Sequence, residues 1–199
     1  MIRSNNTMYT RLLPFFIICC MFAAVVSFPV AAQQSVPVPV SSVPVSQTTA
    51  MQTLMLSDLN GNAVPFSRWH GKVVYIKFWA TWCPLCLAGL EDFSHLAQQY
   101  NTSDTIRVIS VVAPGVRGEV SKEDFIEWAA AQQIDFPVFL DDAAGSVNRA
   151  FNIVGYPSSL YLDTQGKVIK KSDGDESNES IIATLSAIVQ NPVYKVVQP

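Results

Sequence analysis

Val73-Val74-Tyr75-Ile76-Lys77-Phe78-Trp79-Ala80-Thr81-Trp82-Cys83-Pro84-Leu85-Cys86 is the stretch that decides the fold. Its first seven residues are β-branched, aromatic or aliphatic apart from Lys77, a run suited to a strand covered on both faces. The strand then meets a proline that favours a first helical turn, where its missing N–H costs nothing. From Pro84 to Tyr100, Leu87, Leu90, Phe93, Ala97 and Tyr100 recur at intervals of three and four, which predicts one helix with one apolar face. Cys83 therefore stands at a helix N-terminus, where free amides and the macrodipole favour a thiolate. Cys86 follows one turn later, near enough to close a disulfide. The reading makes Cys83 the exposed nucleophile and Cys86 the buried thiol that resolves a mixed disulfide.

Other uses of two cysteines fit less well. As a staple, a four-residue loop contributes only about 2 kcal/mol. Zinc needs two further ligands, and the two histidines do not supply them: His95 lies nine residues past Cys86, about 180° around the same helix. Haem attachment needs histidine after the second cysteine, where Leu87 stands. A peroxidatic cysteine has only Thr81 nearby in its favour. The pair is thus expected to work with no metal and no other cofactor.

Outward from this junction the chain reads as alternating strands and helices. A second buried strand is expected over 105–112. Ser121, with Asp124 three residues on, opens a helix. A short strand covers 138–140, and 143–151 reads as helical. Ser159 to Asp163, a turn at 164–166 and Lys167 to Lys170 form a hairpin. A last helix runs from about Asn178 to Val189. The sum is an α/β domain with a central mixed sheet and helices on both faces. Trp69, Trp79 and Trp128 are assigned to packing, His70 to a turn and His95 to a solvated helix face. Gly115 to Gly118 reads as a flexible loop, and the charged stretch from Asp173 to Glu179 as a solvated one.

Composition agrees with this. The chain of 199 residues is 49% hydrophobic and 15% charged, which excludes disorder throughout. Thirteen lysines and arginines against sixteen acids give no nucleic-acid footprint. Part of the apolar excess lies at the N-terminus, where Arg3 and Arg11 precede an uncharged run from Leu12 to Phe28, closing on Val30 and Ala32. Residues 1–32 read as a secretory signal, with an uncleaved anchor as the alternative. Its loss would remove Cys19 and Cys20 and leave Cys83 and Cys86 alone, outside the cytoplasm, where stray thiols oxidise. Residues 33–50, rich in Pro, Val and Ser, form an extended linker. The domain spans 51–191, and 192–199 is a tail.

The segment from Phe78 to Cys86 resembles the active-site stretch of the thioredoxin superfamily, in its TlpA/ResA-like branch. The resemblance implies a thioredoxin-like fold with one extra βα unit and an N-terminal β extension. It also implies that Pro157 in Gly155-Tyr156-Pro157 is cis, and that Trp82, Pro84, Tyr156 and Pro157 meet the partner. Two positions depart from the family pattern. Lys77 replaces the buried acid of Asp-Phe-Trp-Ala, and Gly89 stands where ResA-like proteins often carry Glu. Glu91 and Asp92 are expected to point elsewhere, so the proton of Cys86 has no assigned acceptor. The Lys-Phe-Trp and Cys-Pro-Leu-Cys segments, with Val112-Ala113-Pro114-Gly115, resemble in particular the thioredoxin-like domain fused to methionine sulfoxide reductases. This implies a periplasmic thiol–disulfide oxidoreductase acting as a reductant. A sulfoxide reductase or apocytochrome would be its substrate, and a DsbD/CcdA-type membrane protein its electron donor. A disulfide-introducing oxidant and a non-enzymatic docking module remain the alternatives.

Overall fold

In the computed structural model, residues 53–191 are described. The signal or anchor, the linker and the tail fall outside them. Seven strands form one sheet in the order β2-β1-β5-β4-β3-β6-β7. The central strand, β3 (Val73–Phe78), is buried at every residue. It pairs in parallel with β4 (Ile106–Val112) and antiparallel with β6 (Ser158–Leu162). Beyond β4 lies β5 (Val138–Leu140), also parallel, and beyond β6 the hairpin partner β7 (Val168–Asp173). The N-terminal extension is a hairpin of β1 (Met55–Ser57) and β2 (Ala63–Pro65), joined antiparallel to β5.

The alternation of β3 separates two apolar layers. Val74, Ile76 and Phe78 face a cluster with Phe66, Trp69, Val147 and Ile153. Val73, Tyr75 and Trp79 face the other, which includes Phe93, Leu96, Phe125, Leu185 and both Cys83 and Cys86. Among the described residues, five α-helices cover these faces: α1 (Pro84–Ala88), α2 (Leu90–Gln99), α3 (Lys122–Ala131), α4 (Ser146–Ala150) and α5 (Asn178–Gln190). Trp79 is fully enclosed, with Phe125 and Trp128 rings each 5.9 Å away. Trp69 is buried too, while His70 and His95 are exposed as expected.

Two expectations need correction. The helix expected over 84–100 is two helices, because Gly89 ends α1 with its amide bonded to the Cys86 carbonyl and then begins α2. The helix expected over 143–151 is shorter: Gly145 adopts a left-handed φ of 65°, and α4 starts only at Ser146. In the Gly115 to Gly118 loop, Gly115 N–H donates to Val120 O at 2.9 Å. The stretch from Asp173 to Glu179 is largely exposed, as expected, with Asp175 bonded to Lys77 and Glu176 to Lys170 and the Tyr161 hydroxyl. A strand lysine turned inward must find an anion, and this segment provides it.

Phe125 links α3 to the tryptophan that ends the central strand. Phe125→Ala is expected to cost about 3–5 kcal/mol, as for other large buried aromatics. The urea midpoint, compared with the parent chain at equal slope, checks it.

Candidate active site

β3 delivers the chain to Trp79 and Ala80 at the edge of the buried layer, and the turn that follows must satisfy its own amides. Cys83 N–H donates to Ala80 O at 3.2 Å. Cys83 is the N-cap of α1, in extended conformation, with its sulfur accepting the Cys86 N–H at 3.2 Å. Pro84 occupies the first helical turn. The two cysteines are disulfide-bonded with Cα atoms 5.2 Å apart. Sulfur thus does here what a serine or aspartate oxygen does at other helix starts. On reduction the same amide stabilises negative charge on Cys83.

The expected order of exposure holds, but its size does not: Cys83 is only 4% exposed and Cys86 not at all. The accessible surface belongs instead to the neighbours. Trp82 is 50% exposed, Leu85 67% and Val154 58%. The Tyr156–Pro157 bond is cis, as the resemblance implies. The rings of Trp82 and Tyr156 lie 5.9 Å apart, so the residue before Cys83 and the residue before the cis proline form one surface. Behind it, the Asp141 carboxylate accepts the amides of Val147 and Asn148 at 3.0 and 2.9 Å. Asn148 then donates to the Tyr156 hydroxyl. Burial pushes the Tyr156 hydroxyl pKa above its ordinary value, which keeps that hydroxyl neutral.

One residue that holds the site was not legible in the sequence. The Glu119 carboxylate, almost wholly buried, accepts the Thr81 amide at 2.6 Å, the Thr81 hydroxyl at 2.7 Å and the Val120 amide at 2.8 Å. Glu119 lies 38 positions from Thr81, in the loop after β4. Its only sequence signal is a lone acid in the turn beside Gly118. Asp92, expected to point elsewhere, lines a cavity with Lys77, Gly89 and Asp175. The break at Gly89 changes the direction in which α2 presents its first turn. Among the described residues, no His, Cys, Asp and Glu group has the arrangement of a metal site.

Glu119→Ala removes three charge-assisted bonds and strands the Thr81 amide, so it is expected to cost about 3 kcal/mol. It should also speed reduction of the Cys83–Cys86 disulfide by dithiothreitol, because the turn holding the sulfurs is loosened. Unfolding midpoints and reduction rates measured on the same protein check both.

Comparison with known proteins agrees with this geometry. The Redoxin family model matches residues 34–186. The thiol-disulfide oxidoreductase ResA of Bacillus subtilis is 27% identical over 138 residues, 69% of this chain and 73% of ResA. The structure of the exposed lipoprotein thioredoxin Etrx1 from Streptococcus pneumoniae superposes with a TM-score of 0.63 at 34% identity, over 67% of this chain and 97% of that one. The N-terminal domain of PilB from Neisseria gonorrhoeae gives 0.59 at 28% identity, over 70% and 90%. With its cysteine pair capping a helix beside a cis proline, the chain belongs to the Redoxin family, in the TlpA/ResA-like branch of the thioredoxin superfamily, and is a thiol–disulfide oxidoreductase.

Proposed function

We propose that the protein is a cell-envelope reductant in which Cys83 attacks a partner disulfide and Cys86 resolves the product. The observation that carries the roles is the Cys86 amide aimed at the Cys83 sulfur, which favours the thiolate at Cys83 and leaves Cys86 enclosed behind it. In the cycle, the Cys83 thiolate bonds to one partner sulfur and displaces the other as thiolate. Cys86 loses its proton and attacks the Cys83 sulfur, closing the internal disulfide and releasing the second partner thiol. Two electrons pass to the partner, and a membrane donor of the DsbD/CcdA type restores the dithiol.

Trp82 and Tyr156 supply the partner contact, with Pro84 at the helix start and Pro157 setting the Tyr156 backbone beside the sulfurs. The resemblance of the active-site segments to the thioredoxin-like domain of methionine sulfoxide reductases supports the reducing direction, with a sulfoxide reductase or an apocytochrome as partner. The basic start and apolar run of residues 1–32 support export to the periplasm, with 33–50 as a spacer.

The direction is testable on a scale where thioredoxin lies near about −270 mV and a strong oxidant near about −120 mV. Equilibration with glutathione is expected to place this pair close to thioredoxin. A Cys86→Ala chain should trap a mixed disulfide with a sulfoxide reductase or an apocytochrome, identified by mass spectrometry. A potential near the oxidant, with only newly secreted proteins trapped, would overturn the reducing role.

A further inference from the structure

Resolution by Cys86 requires a proton to leave a thiol with no solvent exposure. We infer that Asp175, held by Lys77 in the space left by Gly89, accepts that proton through water in the adjoining cavity. This rests on the roles proposed above for the two cysteines.

Three observations converge on the pair. Lys77 sits on β3 between Tyr75 and Trp79, so by strand alternation it points to the face that carries Cys86. Its side chain is nearly enclosed, and its ammonium lies 2.7 Å from Asp175 Oδ1. Position 89 is one helical turn after Cys86 and on the same side of the helix. A Cβ built on Gly89 would lie 3.2 Å from Asp175 Oδ2 and 3.5 Å from Lys77 Nζ. The carboxylate therefore occupies the place where a side chain from position 89 would project. The two departures from the family pattern belong together: the missing side chain at 89 makes room for an anion from the loop before α5, and the strand lysine fixes it there.

A cavity of about 330 Å³ opens beside the pair, lined by Lys77, Gly89, Asp92, Asp175, Glu176 and Glu179. It has room for several waters and polar groups to hold them. Asp175 itself is partly exposed, so a proton it accepts can pass on to solvent. The step balances. The Cys86 proton moves to the Asp175 carboxylate, the Cys86 electron pair bonds to the Cys83 sulfur, and the partner sulfur leaves as thiolate. Asp175 then releases the proton to water. Asp92, Glu176 and Glu179 also face the cavity, but Glu176 is engaged by Lys170 and the Tyr161 hydroxyl. Lys77 acts as a positioning residue.

The two thiol steps can be timed separately with excess dithiobis(nitrobenzoate), in a reduced chain carrying Cys19→Ser and Cys20→Ser so that only the pair reports. Attack by Cys83 releases one coloured thiolate, and resolution by Cys86 releases the second. Asp175→Asn is expected to slow the second release about a hundredfold near neutral pH, the low end for a positioned base. The first release should keep its rate. The deficit should narrow as pH rises, because hydroxide takes over removal of the proton. A second release as fast as in the parent, or both releases slowed alike, or a deficit independent of pH would overturn the inference. If Asp175→Asn strands the Lys77 charge and unfolds the domain, Lys77→Met with Asp175→Asn removes both charges and is read by the same three criteria. Failure of the underlying roles looks different: the chain with Cys83→Ala would react at Cys86 as fast as the parent's first release, and the chain with Cys86→Ala would lose that release, which overturns the inference as well.

Discussion

The turn that follows a strand buried on both faces leaves amides that only side chains can satisfy, and the reactivity of the site follows from how two of them are met. Thr81 N–H is taken by Glu119 and Cys86 N–H by the Cys83 sulfur. A buried amide without a partner costs a large part of the domain's marginal stability, so neither contact is dispensable. The second one makes a sulfur serve as helix cap. Capping stabilises the fold in the oxidised state and a thiolate in the reduced state, so in the proposed exchange the contact that starts α1 is also the one that prepares Cys83 for attack.

A second constraint comes from charge. Lys77 is carried into the apolar layer between Tyr75 and Trp79, and an ammonium there is tolerated only with an anion beside it. That need organises a segment far away in sequence. Asp175 turns inward to Lys77, and next to it Glu176 joins Lys170 to the hydroxyl of Tyr161, whose ring packs 5.1 Å from Tyr75. The loop before α5 is thereby fastened to β3, β6 and β7 together. A break in the helix at Gly89 gives the carboxylate its room. In the inferred proton path, that room lets an acid approach the side of the helix that carries Cys86.

How much of this could be read beforehand depends on the range of the interaction. The run from Val73 to Trp79, the Ser121 cap over Asp124 and the hairpin after Pro157 are local patterns, and each stands where its residues predict. The cysteine pair at a helix start is equally local. Gly89 was not legible as a break, because a periodicity of three and four continues across it and a single glycine inside such a pattern is ordinary. Glu119 and Asp175 were not legible because each acts on a residue 38 or 98 positions away. Lys77 carried the only available hint: an inward-facing cation in a strand demands a counter-ion, although nothing in the sequence says which acid supplies it.

The burial of both sulfurs bears on how a partner is chosen. With Cys83 only 4% exposed, an open thiol is not what a disulfide in solution would meet. It would meet Trp82 and Leu85, with the Tyr156 ring tilted against Trp82. In the proposed exchange a partner must therefore cover apolar surface before its sulfur can reach Cys83. Small oxidants gain little from that surface, whereas a protein segment that lies along it gains binding free energy at the place where the sulfurs must align. Under that proposal, selectivity resides in the aromatic pair and the cis-proline loop. The sulfur chemistry itself can stay the same for any partner that fits.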